Sequence, residues 1–552
     1  MTDRNSHGQS GLPGMVFRYW HTLRYLKPIQ IYRRLWFRLA RPKPDMWPAP
    51  PLRKIGGPWV DAASRAASQR GPAKFCFLNV EHELSAGAWD DAAVPKLWRY
   101  NLHYFDDLNA LDAVQRREWH LGLLSQWVRE NPPASGSGWE PYPTSLRIVN
   151  WIKWALAGND LPAECVSSLA IQARYLSRRL EVHLLGNHLF ANAKALIFAG
   201  LFFEGTEAEG WLASGMKILS REVPEQILSD GGQFERSPMY HALALEDMLD
   251  LINIGRASGR TMPSEWHAIA ARMIDWLAAM SHPDGKIALF NDAAFNIAPP
   301  NDELRRYAAE LGIRVSDSAF PQRRLLESSG YVRADVGDAS LLVDVAPVGP
   351  DYLPGHAHAD TLSFELSLFG QRIFCNGGTS RYGLGPERES ERGTAAHNTV
   401  VVDAADSSEV WAGFRVARRA RPFDLQVKLD GADILVECAH DGYTRLPGKP
   451  VHRRRWELGA GRLKISDMVE GHGNVAVARY HLHPLIACDL DPQGDHGVFR
   501  FPNGQSVRWL VRGGVSRIAE SMYCPEFGVR QTRPCLEIEF ASGNEVKLEL
   551  NW

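Results

Sequence analysis

The chain has 552 residues, 45% hydrophobic and 23% charged, enough apolar material for two or three packed domains. A formal net charge of −2 gives no electrostatic case for nucleic acid as a partner. The 7 cysteines are scattered without a Cys-x-x-Cys pair, which argues against a disulfide framework and against a zinc ribbon.

No run approaches the roughly 18 consecutive apolar residues of a membrane span. From Met15 to Arg41, aromatics are interleaved with Arg18, Arg24, Lys27, Arg33, Arg34 and Arg38. That charge does not fit a secretory leader, so a cytoplasmic location is expected, with the periplasm as the alternative. Two readings of the stretch stand open. Residues 15–41 make peripheral contact with an anionic surface, or they form an amphipathic helix packed on the protein, interrupted at Pro28. Pro and Trp then crowd Arg41 to Leu52, a stiff connector. Residues 1–90 therefore read as a basic, aromatic helical segment and linker.

Between Lys96 and Leu311 apolar residues recur at three- and four-residue spacing. Helices are expected over 146–156, 167–185, 188–203, 211–228, 239–254 and 264–280. Short Gly, Pro or Asp breaks between them imply helical hairpins laid side by side. Near Ser328 the period changes to alternation punctuated by turn residues, the mark of antiparallel sheet. Hairpins are expected over 364–374, turning at Gly370, and over 536–550, turning around Gly543. Helices first and strands afterwards give an α+β chain, an all-α domain at 91–325 followed by an all-β domain at 326–552.

Four polar clusters interrupt the pattern. Gly186-Asn187-His188 lies between two helical stretches, where Asn187 suits a helix cap. In the segment from Asp230 to His241, Gly231 and Gly232 permit a turn and Ser237-Pro238 starts a helix with Ser as cap. Tyr240 and His241 then fall in its first turn, where the helix dipole favours a phenolate. Gly355-His356-Ala357-His358-Ala359-Asp360 runs into an alternating stretch over 361–369, and imidazoles two apart on an extended chain share a face. His397 opens the β-branched run Thr399 to Val402. Each cluster has a structural explanation alone; together, at junctions in both halves, they mark a site.

The succession GNH, DGGQFERSPMYH, HAHAD and RGTAAHNTVVVD resembles the heparinase II/III-like polysaccharide lyases, whose relatives include oligoalginate lyases. Leu97 to Leu108 and Pro141 to Trp154 are similar to the helical domain of that family. The resemblance implies an α/α toroid, an incomplete helical barrel, followed by an antiparallel β-sandwich. It implies β-elimination on an acidic, uronate-containing glycan, and it is compatible with a place beside exopolysaccharide turnover. Elimination must neutralise the uronate carboxylate, take the C5 proton and protonate the leaving C4 oxygen. Donors on developing charge contribute on the order of 3–4 kcal/mol each, and a positioned acid or base on the order of 10²–10⁴ in rate.

Carried over from the resemblance, Asn187 and His188 neutralise the carboxylate, Tyr240 is base and acid, and His356 assists. Tyrosine titrates near about 10, so the phenolate needs cationic neighbours, for which Arg236 and His241 are the sequence candidates. Arg236, His241, Tyr382 and Arg392 are expected to contact substrate. Catalysis requires no cofactor. Zinc-bearing relatives imply a metal set at His358, Asn376 and His397, where Asn replaces the acidic ligand and weakens the site. Asp360 is a stand-in, and the alternative is a hydrogen-bonded brace for His356. Two other functions are weighed: a glycoside hydrolase, recruiting Glu235, Asp292 and Asp360, and a non-catalytic polysaccharide-binding or assembly factor.

Overall fold

The computed structural model describes residues 12–314, 323–430 and 433–552. Helices dominate up to Glu310, and antiparallel sheets follow from Arg323. The α/α toroid and β-sandwich are both present. The helices Pro141–Leu156, Ala163–Ser177, Gly186–Phe202, Thr206–Gln226, Pro238–Ser258 and Glu265–Ala279 match the six expected stretches within a few residues, except that the second ends at Ser177. Helix Gly186–Phe202 is buried along almost its whole length, as its all-round apolar sequence requires. It packs closely on Thr206–Gln226: a Cβ on Gly200 would lie 2.6 Å from Leu212 N, and one on Gly215 2.7 Å from Ala193 O.

Residues 12–41 form two helices, Leu12–Leu23 and Pro28–Leu39, split where Pro28 opens the second. The connector beyond them is not wholly irregular. Strands Gln69–Gly71, Lys74–Phe77 and Val80–Glu83 make a small antiparallel sheet, and Phe75, Leu84 and Trp89 join the helical core.

The C-terminal half stacks sheets of five, four and eight strands around a second core. The hairpin of Phe364–Leu368 with Gln371–Phe374 turns through Phe369 and Gly370, both at positive φ, the conformation of a two-residue turn. The hairpin expected around Gly543 does not form. Gln531–Ala541 pairs with Val515–Tyr523 and Val475–His481, whereas Glu545–Asn551 pairs with Arg462–Glu470 and Ser506–Arg512 in the other sheet. Alternation sets which face is buried but does not choose the partner strand. Residues 356–363 are loop, and the strand they lead into is buried on both faces. All 7 cysteines are free. Among the described residues no helix is long and apolar enough to cross a membrane.

Candidate active site

One short loop, Phe290-Asn291-Asp292, holds the two halves in a common frame. Ser237 caps helix Pro238–Ser258 by accepting the Tyr240 N–H at 3.2 Å, and its hydroxyl donates to the Asp292 carbonyl at 2.5 Å. The Asp292 N–H donates to the His356 carbonyl at 2.9 Å. The Asn291 side chain donates to the Arg236 carbonyl and accepts the His358 N–H, both at 3.0 Å. The start of the tyrosine helix and the histidine loop are thus fixed to the same two residues, Asn291 and Asp292.

Asp292 is fully buried. Arg388 grips it bidentately, with Nη2 at 2.7 Å from Oδ2 and Nη1 on Oδ1. His356 Nδ1 lies 2.9 Å from Oδ2 and His358 Nε2 2.8 Å from Oδ1. Burial alone would raise its pKa; Arg388 and the two imidazoles outweigh burial and hold the carboxyl well below the usual range. An ionised carboxylate only accepts, so His356 donates to it from Nδ1 and presents Nε2 at the other edge of the ring. Glu235 Oε2 stands 3.7 Å from that Nε2. Burial pushes the Glu235 pKa up, against the pull of His356 and His188.

The Tyr240 ring lies on His356 with centroids 3.9 Å apart, and its hydroxyl is 2.9 Å from that of Tyr382. Burial, then the nearby Tyr382 and Asp292, push the Tyr240 pKa well above 10. The neighbours expected to lower it do not reach it. His241 is buried, accepting the Gln233 N–H at Nδ1 (3.2 Å) and donating from Nε2 to the Met273 carbonyl (2.8 Å). Arg236 donates to the Ser329 carbonyl at 2.9 Å, tying toroid to sandwich. Arg392 is buried as well, with Nε and Nη2 on the Ala357 carbonyl at 3.1 and 2.8 Å, bracing the histidine loop from behind. Of the four residues expected to contact substrate, Tyr382 stands beside Tyr240 and His356; His241 and Arg392 are buried and engaged by the fold, while Arg236 is half-buried with Nη1 unpartnered among the described residues.

Asn187 does not cap its helix. The N-cap is Leu185 at φ 62° and ψ −155°, and Asn187 sits in the first turn, half-buried, its amide without a hydrogen bond among the described residues. His188 follows, ring against Tyr142 at 4.6 Å and Nδ1 3.2 Å from Glu181 Oε1. Burial opposes its protonation, but Glu181 more than compensates and the pKa is raised. An unused amide and an imidazole biased toward its cation therefore stand together on the toroid side.

The residues His358, Asn376 and His397 do not fit a metal ion. His358 Nδ1 is 3.3 Å from His397 Nε2, while Asn376 Oδ1 is 3.3 Å from His397 Nδ1. His358 and Asn376 thus approach opposite edges of one imidazole, and the three donors do not converge as a tetrahedral ion demands. Burial, His358 and Arg533 hold the His397 pKa well below 6.5. Asp360 takes the Asn291 N–H at 3.3 Å instead. The arrangement is that of the brace: Asp292, His358, His397 and Asn376 in a line.

Local sequence does not reveal the role of Asp292, which reads as a turn residue, or of Arg388, which lies in the charged run Glu387-Arg388-Glu389. Glu235 reads there as a helix-end charge. A buried ionisable group announces itself only through partners, and those of Asp292 lie 64 to 96 residues away.

Known proteins share both the sequence pattern and the fold. The description "Heparinase II/III N-terminus" matches residues 109–311, and "Heparinase II/III-like, C-terminal" matches residues 319–552. A heparin-sulfate lyase of Bacteroides stercoris is 30% identical over 324 residues, 53% of this chain and 48% of that protein. The chain thus spans about half the length of this curated relative. FtsZ-localized protein C of Caulobacter vibrioides is 26% identical over 469 residues, 77% of this chain and 76% of that protein. A crystal structure of heparinase III superposes with a TM-score of 0.67 at 18% identity, covering 84% of this chain and 78% of the other. With both halves matched and the fold shared, the chain belongs to the heparinase II/III-like family.

Proposed function

We propose that this protein is a polysaccharide lyase that cleaves an acidic, uronate-containing glycan by β-elimination. The observation that carries the reading is the Asp292–His356 pair stacked against the Tyr240 ring at the junction of the two halves. Asn187 and His188 receive the uronate carboxylate and stabilise the charge that develops on it as C5 loses its proton. His356, held in one tautomer by an ionised Asp292, takes that proton at Nε2. Tyr240, kept as a phenol by burial, donates its proton to the C4 oxygen as the C4–O bond breaks and the C4–C5 double bond forms. Tyr382 supplies the hydrogen bond that orients that hydroxyl. This divides between two residues the base and acid roles that the resemblance gives to Tyr240 alone.

The hydrolase reading loses its carboxylate pair. Asp292 is locked by Arg388 and two histidines, and Asp360 is buried and accepts the Asn291 N–H, so neither of the carboxylates recruited beside Glu235 stands free for glycosidase chemistry. A second reading, a non-catalytic factor on the lyase scaffold, draws support from the longer match to the FtsZ-localized relative. Digestion of a panel of uronate polymers, followed by the ultraviolet absorbance of the conjugated C4–C5 double bond, decides among them. Absorbance rising with chain cleavage is expected. Cleavage without absorbance contradicts elimination, and no cleavage of any polymer favours the binding factor.

A further inference from the structure

The paired helices Leu12–Leu23 and Pro28–Leu39 face outward with side chains that globular surfaces rarely expose. Trp20 is 63% exposed, Trp36 62% and Leu39 81%. On the second helix Ile31, Leu35, Leu39, Tyr32 and Trp36 fall within an arc of about 140°, at about 100° per residue. The opposite side is spoken for: Gln30 is buried and donates to the Tyr352 carbonyl at 3.1 Å, and the Phe37 ring lies 4.3 Å from that of His183. Arg33 borders the apolar arc on one edge, Arg34 and Arg38 on the other. The first helix is fixed to the sandwich by Tyr19, whose ring is 4.9 Å from Trp411, and by Thr22, whose hydroxyl accepts the Trp411 indole N–H at 3.2 Å. Its Val16, Trp20 and Leu23 remain exposed.

Between Leu12 and Pro44 there are eight Lys or Arg and no Asp or Glu. Of these eight only Lys27, with Glu225 at 2.9 Å, has an ion-pair partner among the described residues. We infer that this helix pair is an interfacial anchor that lays its apolar face into the headgroup region of an anionic lipid bilayer. Aromatic and aliphatic side chains enter the acyl boundary while the bordering arginines meet lipid phosphates. An acidic glycan satisfies the arginines but offers nothing to Val16, Ile31, Leu35 and Leu39, which is why lipid is the better occupant. The body of the molecule places the helices, so the apolar face is presented before any lipid arrives.

The test is flotation of the full chain with vesicles of phosphatidylglycerol mixed into phosphatidylcholine, against vesicles of phosphatidylcholine alone, at low and high salt. Binding is expected to the anionic vesicles only, weakened by salt. Each of Arg33→Ser, Arg34→Ser and Arg38→Ser is expected to weaken it by about fivefold, and Trp20→Ser with Trp36→Ser to lose it by more than tenfold. Circular dichroism and Tm confirm that each variant is folded, and the lipid and salt comparison stands on the unmodified chain regardless. Three results overturn the anchor: no flotation with anionic vesicles, flotation unchanged by the tryptophan pair, or sedimentation showing a dimer that the tryptophan substitutions dissolve. Where flotation is absent, binding of a soluble uronate polymer that the arginine substitutions weaken assigns the helices to the glycan instead.

Discussion

At the residue scale, Asp292 serves three partners at once, neutralising Arg388, fixing the His356 tautomer and ending the chain of imidazoles behind it. Asp292→Asn leaves the Arg388 guanidinium buried without a counter-charge, a loss on the order of 3–5 kcal/mol. It also removes the acceptor that holds the His356 proton on Nδ1. Steady-state kinetics on a folded fraction are expected to show kcat down by about 10²–10⁴; kcat within threefold of the parent contradicts the assignment. Asn376 also has a residue-level reason to be Asn. With His358 and His397 each donating from Nε2, the His397 Nδ1 needs a donor; rotating the Asn376 amide by 180° brings Nδ2, otherwise without a partner among the described residues, to the place of Oδ1 and supplies it, which a carboxylate cannot. Asn376→Asp is therefore expected to cost about 1–3 kcal/mol in chemical denaturation, and dialysis against a chelator is expected to leave the parent's Tm unchanged. A Tm that falls on chelation contradicts the brace. The four clusters were legible in the sequence because Gly, Pro, His and Tyr stand out locally. Asp292 and Arg388 were not, because their identity as partners exists only once distant segments meet.

At the element scale, close approach rather than chemistry sets the fine positions. Gly186, at φ 53°, precedes Asn187, and a Cβ there would lie 2.4 Å from Leu353 Cδ2, the point where the sandwich-side loop meets the toroid helix. Gly186→Ala is expected to lower both Tm and kcat, and adding Leu353→Ala is expected to restore the part due to the clash but not the part due to φ. No recovery in the double variant would place the whole effect in the backbone. Ser237→Ala removes the cap on the Tyr240 helix and the contact to Asp292, worth about 1 kcal/mol of stability. Its signature is a kcat loss larger than the KM change, since Tyr240 is displaced rather than removed. Caps and turns of this kind could be read from Ser237-Pro238 and Phe369-Gly370, where a few adjacent residues decide the conformation. The strand partners around Gly543 could not, since two sheets with similar alternation compete for each strand.

At the scale of the whole molecule, several histidines are buried as neutral groups, and this gives stability a pH dependence. Burial pushes His103 down to about 3, and His183 and His241 down to about 4, from 6.5. In the unfolded chain each takes a proton below about 6.5, so stability is full above that pH and drains as pH falls toward 4. Each contributes up to about 1.4 kcal/mol per pH unit in that window. Tm recorded from pH 7 to pH 4.5 is expected to fall with increasing slope, and a flat profile contradicts the buried, neutral assignment. The split of helical and β halves was legible because hydrophobic period changes from about 3.6 to 2 at one place; the outward face of residues 12–39 was not, since periodicity shows amphipathicity but not which way a helix turns.

The division of labour between His356 and Tyr240 is open to one direct measurement. A uronate carrying fluoride at C4 loses its leaving group without needing an acid, while the C5 proton must still be taken. On this substrate Tyr240→Phe is expected to turn over within about tenfold of the parent, and His356→Ala to remain slower by about 10²–10⁴. If Tyr240→Phe is as inactive on the fluoride as on the glycan while His356→Ala eliminates fluoride freely, the tyrosine is the base and the assignment of that role to His356 is wrong.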